Sequence, residues 1–157
     1  MSPFGRNKDD QDSEAAPNPQ LDAEVTRLQG LSLPQLAAEV MTKGFSADYD
    51  PTQDGNDIGG IADVFFARPD FKLSDSTVHA QERHAQEAAT AGTPQQQLLI
   101  LADLVTEGVQ ALEHAGLVCL KTNYDGQYFN VGYMATRVGR AALQRNAVDR
   151  VLAGGTL

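Results

Sequence analysis

The sequence predicts a mainly α fold carrying one β-hairpin, and three observations predict it. Two segments open with the same helix-start chemistry: Ser32 three residues before Gln35 with Pro34 between, and Thr93 three residues before Gln96 with Pro94 between. A hydroxyl cap paired with a Gln satisfies two orphan backbone donors, and a proline costs nothing where the first turn has no partner for its N–H. Apolar residues recur through both segments at i, i+3 and i+4, the spacing of one helix face. Finally, Asp125-Gly126 lies between two β-rich runs, and a two-residue hairpin turn needs positive φ at both of its positions.

The elements follow in order. Residues 1–20 are polar and charged, with Pro3, Pro17 and Pro19; they bury too little to offset ordering entropy and read as a disordered tail. Residues 21–157 then form a single mainly helical domain. Leu21, Val25 and Leu28 share one face of a first helix over 21–29, ended by Gly30. A second helix begins at Ser32 and carries a stripe of Leu33, Leu36, Ala37, Val40 and Met41, with Gly44 as its left-handed stop and Phe45 returning onto the last turn. Both stripes are narrow, so these helices must pack on something else. An acidic loop covers 46–57, and a third helix over 58–67 buries Ile61, Val64 and Phe65, capped by Asn56 or Asp57. A polar fourth helix is read over 75–90, with Gly92 as its break.

The helix that starts at Thr93 has apolar residues over more than half its surface: Leu98, Leu99, Leu101, Ala102, Leu104, Val105, Val109 and Leu112. It is therefore expected to be central and contacted from at least two sides, with Gly108 admitting a neighbouring backbone and Gly116 closing it. Strands over 117–124 and 127–133 flank the Asp-Gly turn, and a last helix runs from a Thr136 cap to about Leu152.

Composition bounds function. The chain has 157 residues, 41% of them hydrophobic, and no Trp, enough for a core built on Leu, Val, Ile and Ala. Its longest apolar run, Leu98 to Ala102, is far short of the roughly 20 residues that cross a bilayer. The N-terminus has charges where a signal peptide is apolar, so a cytoplasmic protein without a membrane partner is expected. The single Cys119 excludes an intrachain disulfide and reads as a small core residue. Net charge is −9, unevenly placed: residues 1–116 hold 7 Lys/Arg against 19 Asp/Glu, and 117–157 hold 5 against 2. An acidic body repels phosphate backbones, while the basic end suits an acidic partner.

The run LEHAGLV, a hairpin with DG at its tip, then T-x-x-G-R-x-x-L (Leu112, Gly116, Leu117, Val118, Asp125, Gly126, Thr136, Gly139, Arg140, Leu143) resembles the wing and following helix of winged helix-turn-helix regulators of the MarR and PadR type. The resemblance covers about a third of the chain and implies a winged-helix-like C-terminal half, at about 93–152, preceded by short helices. It also implies that the helix before the wing presents Arg, Lys, Asn or Gln to base edges. Yet from Gln95 to Ala115 the formal charges are Asp103, Glu107 and Glu113. The wing offers Lys121, and the following helix offers Arg137, Arg140 and Arg145, within about 140° of one another on a regular helix.

Other chemistry fails on spacing. Asp50 as the first ligand of a calcium loop puts Ile61 where a bidentate Glu is required. His79 and His84 are five apart, about 140° around a helix, and do not converge on one metal. No glycine-rich phosphate loop or nucleophile elbow is present. No catalytic residue, metal, cofactor or small molecule is therefore expected. The expected function is a non-enzymatic regulatory or protein-interaction module whose winged-helix-like unit binds a protein partner or a second copy. Its contacts would come from Tyr124, Tyr128, Lys121, Arg137 and Arg140, since aromatics are favoured at interfaces. The alternative is a winged-helix DNA-binding transcriptional regulator using Lys121 and the arginines.

Overall fold

A computed structural model describes residues 18–66, 94–124, 126–127 and 129–157. These residues are mainly helical with one two-stranded antiparallel hairpin, in the order α1 (Pro19–Gln29), α2 (Leu33–Gly44), α3 (Ile58–Phe65), α4 (Pro94–His114), β1 (Val118–Tyr124), β2 (Phe129–Ala135), α5 (Arg137–Gln144) and α6 (Val148–Leu152). The helix expected over 75–90, with His79 and His84, lies outside the described residues.

Helix α4 is the centre, and α1, α2 and α3 all pack on it. Its inward face, Leu98, Leu101, Val105, Val109 and Leu112, is buried, each side chain stabilising by about 1.5–3 kcal/mol relative to exposure. Gly108 lets α2 close in, since a Cβ there would stand 2.7 Å from Val40 Cγ2. The narrow stripes of α1 (Leu21, Val25, Leu28) and α2 (Leu36, Ala37, Val40, Met41) supply the other half of this core.

Three helix ends share one stop. At Gly116 (φ +73°) the Leu117 N–H reaches the Leu112 carbonyl at 2.9 Å and the Gly116 N–H reaches Glu113 at 3.0 Å. This is the Schellman arrangement, and Leu112 and Leu117, both fully buried, make its apolar contact. The same pair of bonds recurs at Gly154 and, unexpectedly, at Asn146 (φ +49°), where Ala147 N–H reaches Ala142 O at 2.8 Å. The single terminal helix expected from Thr136 to Leu152 is thus two helices, because asparagine tolerates the left-handed turn and Ala142 and Ala147 bury against it.

Other expectations need correcting. Pro19 and Gln20 belong to α1, whose cap is Asn18, accepting from the Gln20 and Leu21 N–H groups. Gly44 is not a left-handed stop: it is the last residue of α2, and a Cβ on it would meet Ile61 Cγ2 at 2.8 Å. Leu33 and Val64 were expected inside and are 51% and 56% exposed. The short α3 turns the face Ile58, Ile61, Ala62 and Phe65 inward instead. Cys119 is half-buried.

Arg27 ties α1 to α2, donating to Glu24 at 2.8 Å and to Glu39 at 2.7 Å. Its hydrogen bonds hold both carboxyls below their ordinary range. A lowered folded pKa means their contribution is complete above the ordinary carboxylate pKa and is lost as pH falls through the lowered values. The groups are partly exposed, so Glu39→Gln is expected to cost about 0.5–1 kcal/mol at neutral pH and low salt. Urea denaturation at neutral and acid pH checks this: the wild-type advantage should shrink in acid and in high salt.

Candidate functional site

The register of the hairpin fixes two faces and two edges. Val118 pairs with Ala135, Leu120 with Tyr133, Lys121 with Gly132 and Thr122 with Val131. Side chains at 118, 120, 122, 131, 133 and 135 share one face because cross-strand partners point the same way. That face is buried at its base, at Val118 and Ala135, and open further out, where Leu120 is 53% and Val131 57% exposed.

The acidic loop pairs with the outer edge of β2 and reaches over the opposite face at Gly132 and Lys121. Asn56 and Tyr133 exchange both backbone hydrogen bonds, at 2.8 and 2.7 Å. The loop can come this near because Gly55 and Gly132 meet: a Cβ on Gly132 would lie 2.4 Å from the Gly55 backbone. Asn56 also donates its side-chain amide to the Gly44 carbonyl at 2.9 Å, joining loop, α2 and hairpin.

Two of the expected contact residues are used in holding this loop. The Lys121 ammonium donates to the Gln53 carbonyl and, at 3.4 Å, to that of Pro51. Arg140 donates to the Ala135 carbonyl at 2.9 Å and stacks over the Tyr49 ring, 4.4 Å from its centre. Between them is a small polar cavity of about 100 Å³, whose lining includes Asp48, Asp50, Asp54 and both cations. Asp50 is held below the ordinary carboxylate range by its hydrogen bonds from Thr52, helped by Lys121. Its carboxylate is thus spent on the loop's own turn.

The remaining expected residues are not gathered here. Arg137 is exposed at the start of α5, as are Arg145 at its end and Arg150 on α6. Because the terminal helix is broken at Asn146, these arginines do not lie along one helix. Tyr128 and the side chain of Tyr124 lie outside the described residues, and Tyr124 ends β1.

No protein-family model, curated protein or solved structure matches this chain.

Among the described residues helix α4 has an exposed stripe of Asp103, Glu107, Gln110 and His114, with Glu113 beside it. Near its C-terminal end lies a more apolar groove of about 560 Å³ between α4 and the ends of α2 and α6, lined by Leu33, Ala111 and Leu152 with Glu107 and His114. Among the described residues no group of three His, Cys, Asp or Glu is placed to hold a metal, and no helix is long and apolar enough to cross a membrane. Sequence reading missed Tyr49, Asn56, Leu120 and Val131. A lone aromatic inside the acidic run SADYDP was the available signal for the first; the others depend on pairing between distant segments.

Proposed function

We propose that this chain is a non-enzymatic protein-interaction module whose contact surface is the β-hairpin, with the winged-helix-like unit serving to bind protein instead of duplex DNA. The observation that carries the reading is the exposed stripe of α4. The helix that the winged-helix resemblance would send into a groove offers Asp103, Glu107 and Glu113 to solvent, which repel phosphate. Its other faces are packed under α1, α2 and α3. Lys121 and Arg140, which would steady a wing on phosphates, serve the 46–57 loop instead. The outer hairpin face meanwhile presents Leu120 and Val131 to water, side chains that gain by being covered.

The second reading, a DNA-binding regulator, is favoured by one observation: Arg137, Arg145 and Arg150 are exposed on α5 and α6. Binding of the full chain to random duplex at rising salt separates the two. The protein-contact reading expects no duplex binding at low salt. Binding that falls steeply with salt, and loses about one unit of salt slope on Arg137→Ala, would establish the DNA reading in its place.

A further inference from the structure

We infer that two copies of this chain pair edge to edge through β1, making one antiparallel sheet across a two-fold axis at Thr122. The inference rests on the reading of the hairpin as a protein-contact surface and names the partner that fits it.

Backbone parity identifies the free edge. The N–H and C=O of Tyr133 are both taken by Asn56, so they point away from β1. Its cross-strand partner Leu120 must then turn its own N–H and C=O away from β2, because opposed residues in an antiparallel ladder either exchange both bonds or neither. Leu117, of the other parity, confirms this by accepting from the Thr136 N–H at 2.9 Å. Leu120, Thr122 and Tyr124 therefore present their backbone groups outward, and among the described residues Leu120 and Thr122 have no backbone partner on that side. A row of donors and acceptors repeating every second residue is matched by another extended chain.

Two devices that blunt an edge, a bulge and a proline, are missing from β1. Its ladder runs through seven consecutive pairs without a bulge, and VCLKTNY contains no proline. Its single lysine is turned onto the carbonyls of Pro51 and Gln53.

Chemistry then disfavours the registers nearer the start of the strand. An axis at Lys121 sets two ammonium-bearing residues directly opposite each other, which is destabilising. An axis at Leu120 requires pairing at Val118, which is 1% exposed. An axis at Thr122 pairs Thr122 with itself, Leu120 with Tyr124 of the second copy and Lys121 with Asn123 of the second copy. Every outward N–H and C=O from Leu120 to Tyr124 then has a partner, and no like charges are opposed. Residues 117–135 hold one cation and one anion, Lys121 and Asp125, so the copies meet where local charge cancels. The −9 bodies repel at longer range, and salt screens that repulsion. Self-association therefore strengthens with salt, the reverse of phosphate binding or of docking a basic partner.

Analytical ultracentrifugation of the full chain, from micromolar to millimolar and at low and high salt, tests this. The expected result is a monomer–dimer equilibrium that tightens with salt. Thr122→Pro removes an outward N–H without touching the inner ladder, and Thr122→Lys sets two like charges directly opposite each other at the axis. Each should weaken the dimer at least about tenfold while the helical circular dichroism is retained. A monomer under all conditions overturns the inference, as does a dimer indifferent to both variants. If the chain is monomeric and also ignores duplex DNA, the self-pairing is wrong but the protein-contact reading stands. If it is monomeric and binds duplex with a steep salt dependence, both are wrong.

Discussion

Replacing Gly139 with alanine is expected to cost about 3 kcal/mol or more, enough to unfold a domain of marginal stability. A Cβ at this position would lie 1.9 Å from the Leu117 carbonyl oxygen and 2.9 Å from both Leu117 C and Met41 Cε. The methionine can move; the carbonyl cannot. Leu117 O accepts from Thr136 N–H at 2.9 Å, and Leu117 N–H is held by Leu112 O at 2.9 Å. Displacing that peptide would undo the end of α4 and the base of the hairpin together. Thr136, which caps α5 through the Gly139 N–H at 3.0 Å and donates to the Gly116 carbonyl at 2.6 Å, would be displaced as well. Urea denaturation reads the loss as a lowered midpoint at constant slope. A change below about 1 kcal/mol would mean that α5 is not seated on Leu117 as described.

Leu101→Ala and Leu112→Ala are expected to cost about 2–5 kcal/mol each. Both side chains are fully buried on α4, where α1, α2 and α3 converge, so collapse around the cavity is limited. Leu112 also makes the apolar contact with Leu117 that seals the helix end, which places it toward the upper part of that range. Thermal or urea melts check the values. Changes below about 0.5 kcal/mol at both positions would contradict a core centred on α4.

What the sequence made legible was local. The start of α2 and the Gly116 stop each depend on neighbours a few residues apart, and each stands where those residues put it. The two-residue turn expected at Asp125-Gly126 does not: Tyr124 pairs with Phe129, which leaves four residues between the strands and moves β2 to Phe129–Ala135. The inward set of α4 followed from its period and from the breadth of its apolar surface. Helix α3 was harder to orient: with apolar residues at 58, 61, 62, 64, 65 and 66, period alone does not decide between Ala62 and Val64. The packing of Ile61 against Gly44 decides it. The break at Asn146 was missed because an asparagine within an otherwise helical run does not announce a left-handed turn.

The candidate site was less legible because it is made by contacts far apart in the chain. Counting charges identified Lys121 and Arg140 as cations of the basic end, but not that Gln53, Pro51 and Tyr49 would engage them. The acidic run read only as a loop, because nothing in its local spacing shows that Asn56 will pair with Tyr133, or that Gly55 will lie against Gly132. Leu120 and Val131 read as ordinary strand residues. Which face of a short hairpin is covered depends on the loop that reaches over the other face.

Amide hydrogen exchange along β1, residue by residue and at two protein concentrations, tests the contact surface most directly. Cys119 and Lys121 belong to the inner ladder and should exchange slowly throughout. Leu120 and Thr122 point outward and should exchange fast in dilute solution, then slow together as concentration and salt rise. Fast exchange at Leu120 and Thr122 under every condition would contradict the hairpin edge as the contact surface. Slow exchange at both already in dilute solution would contradict it equally, by showing that the edge is covered within a single chain.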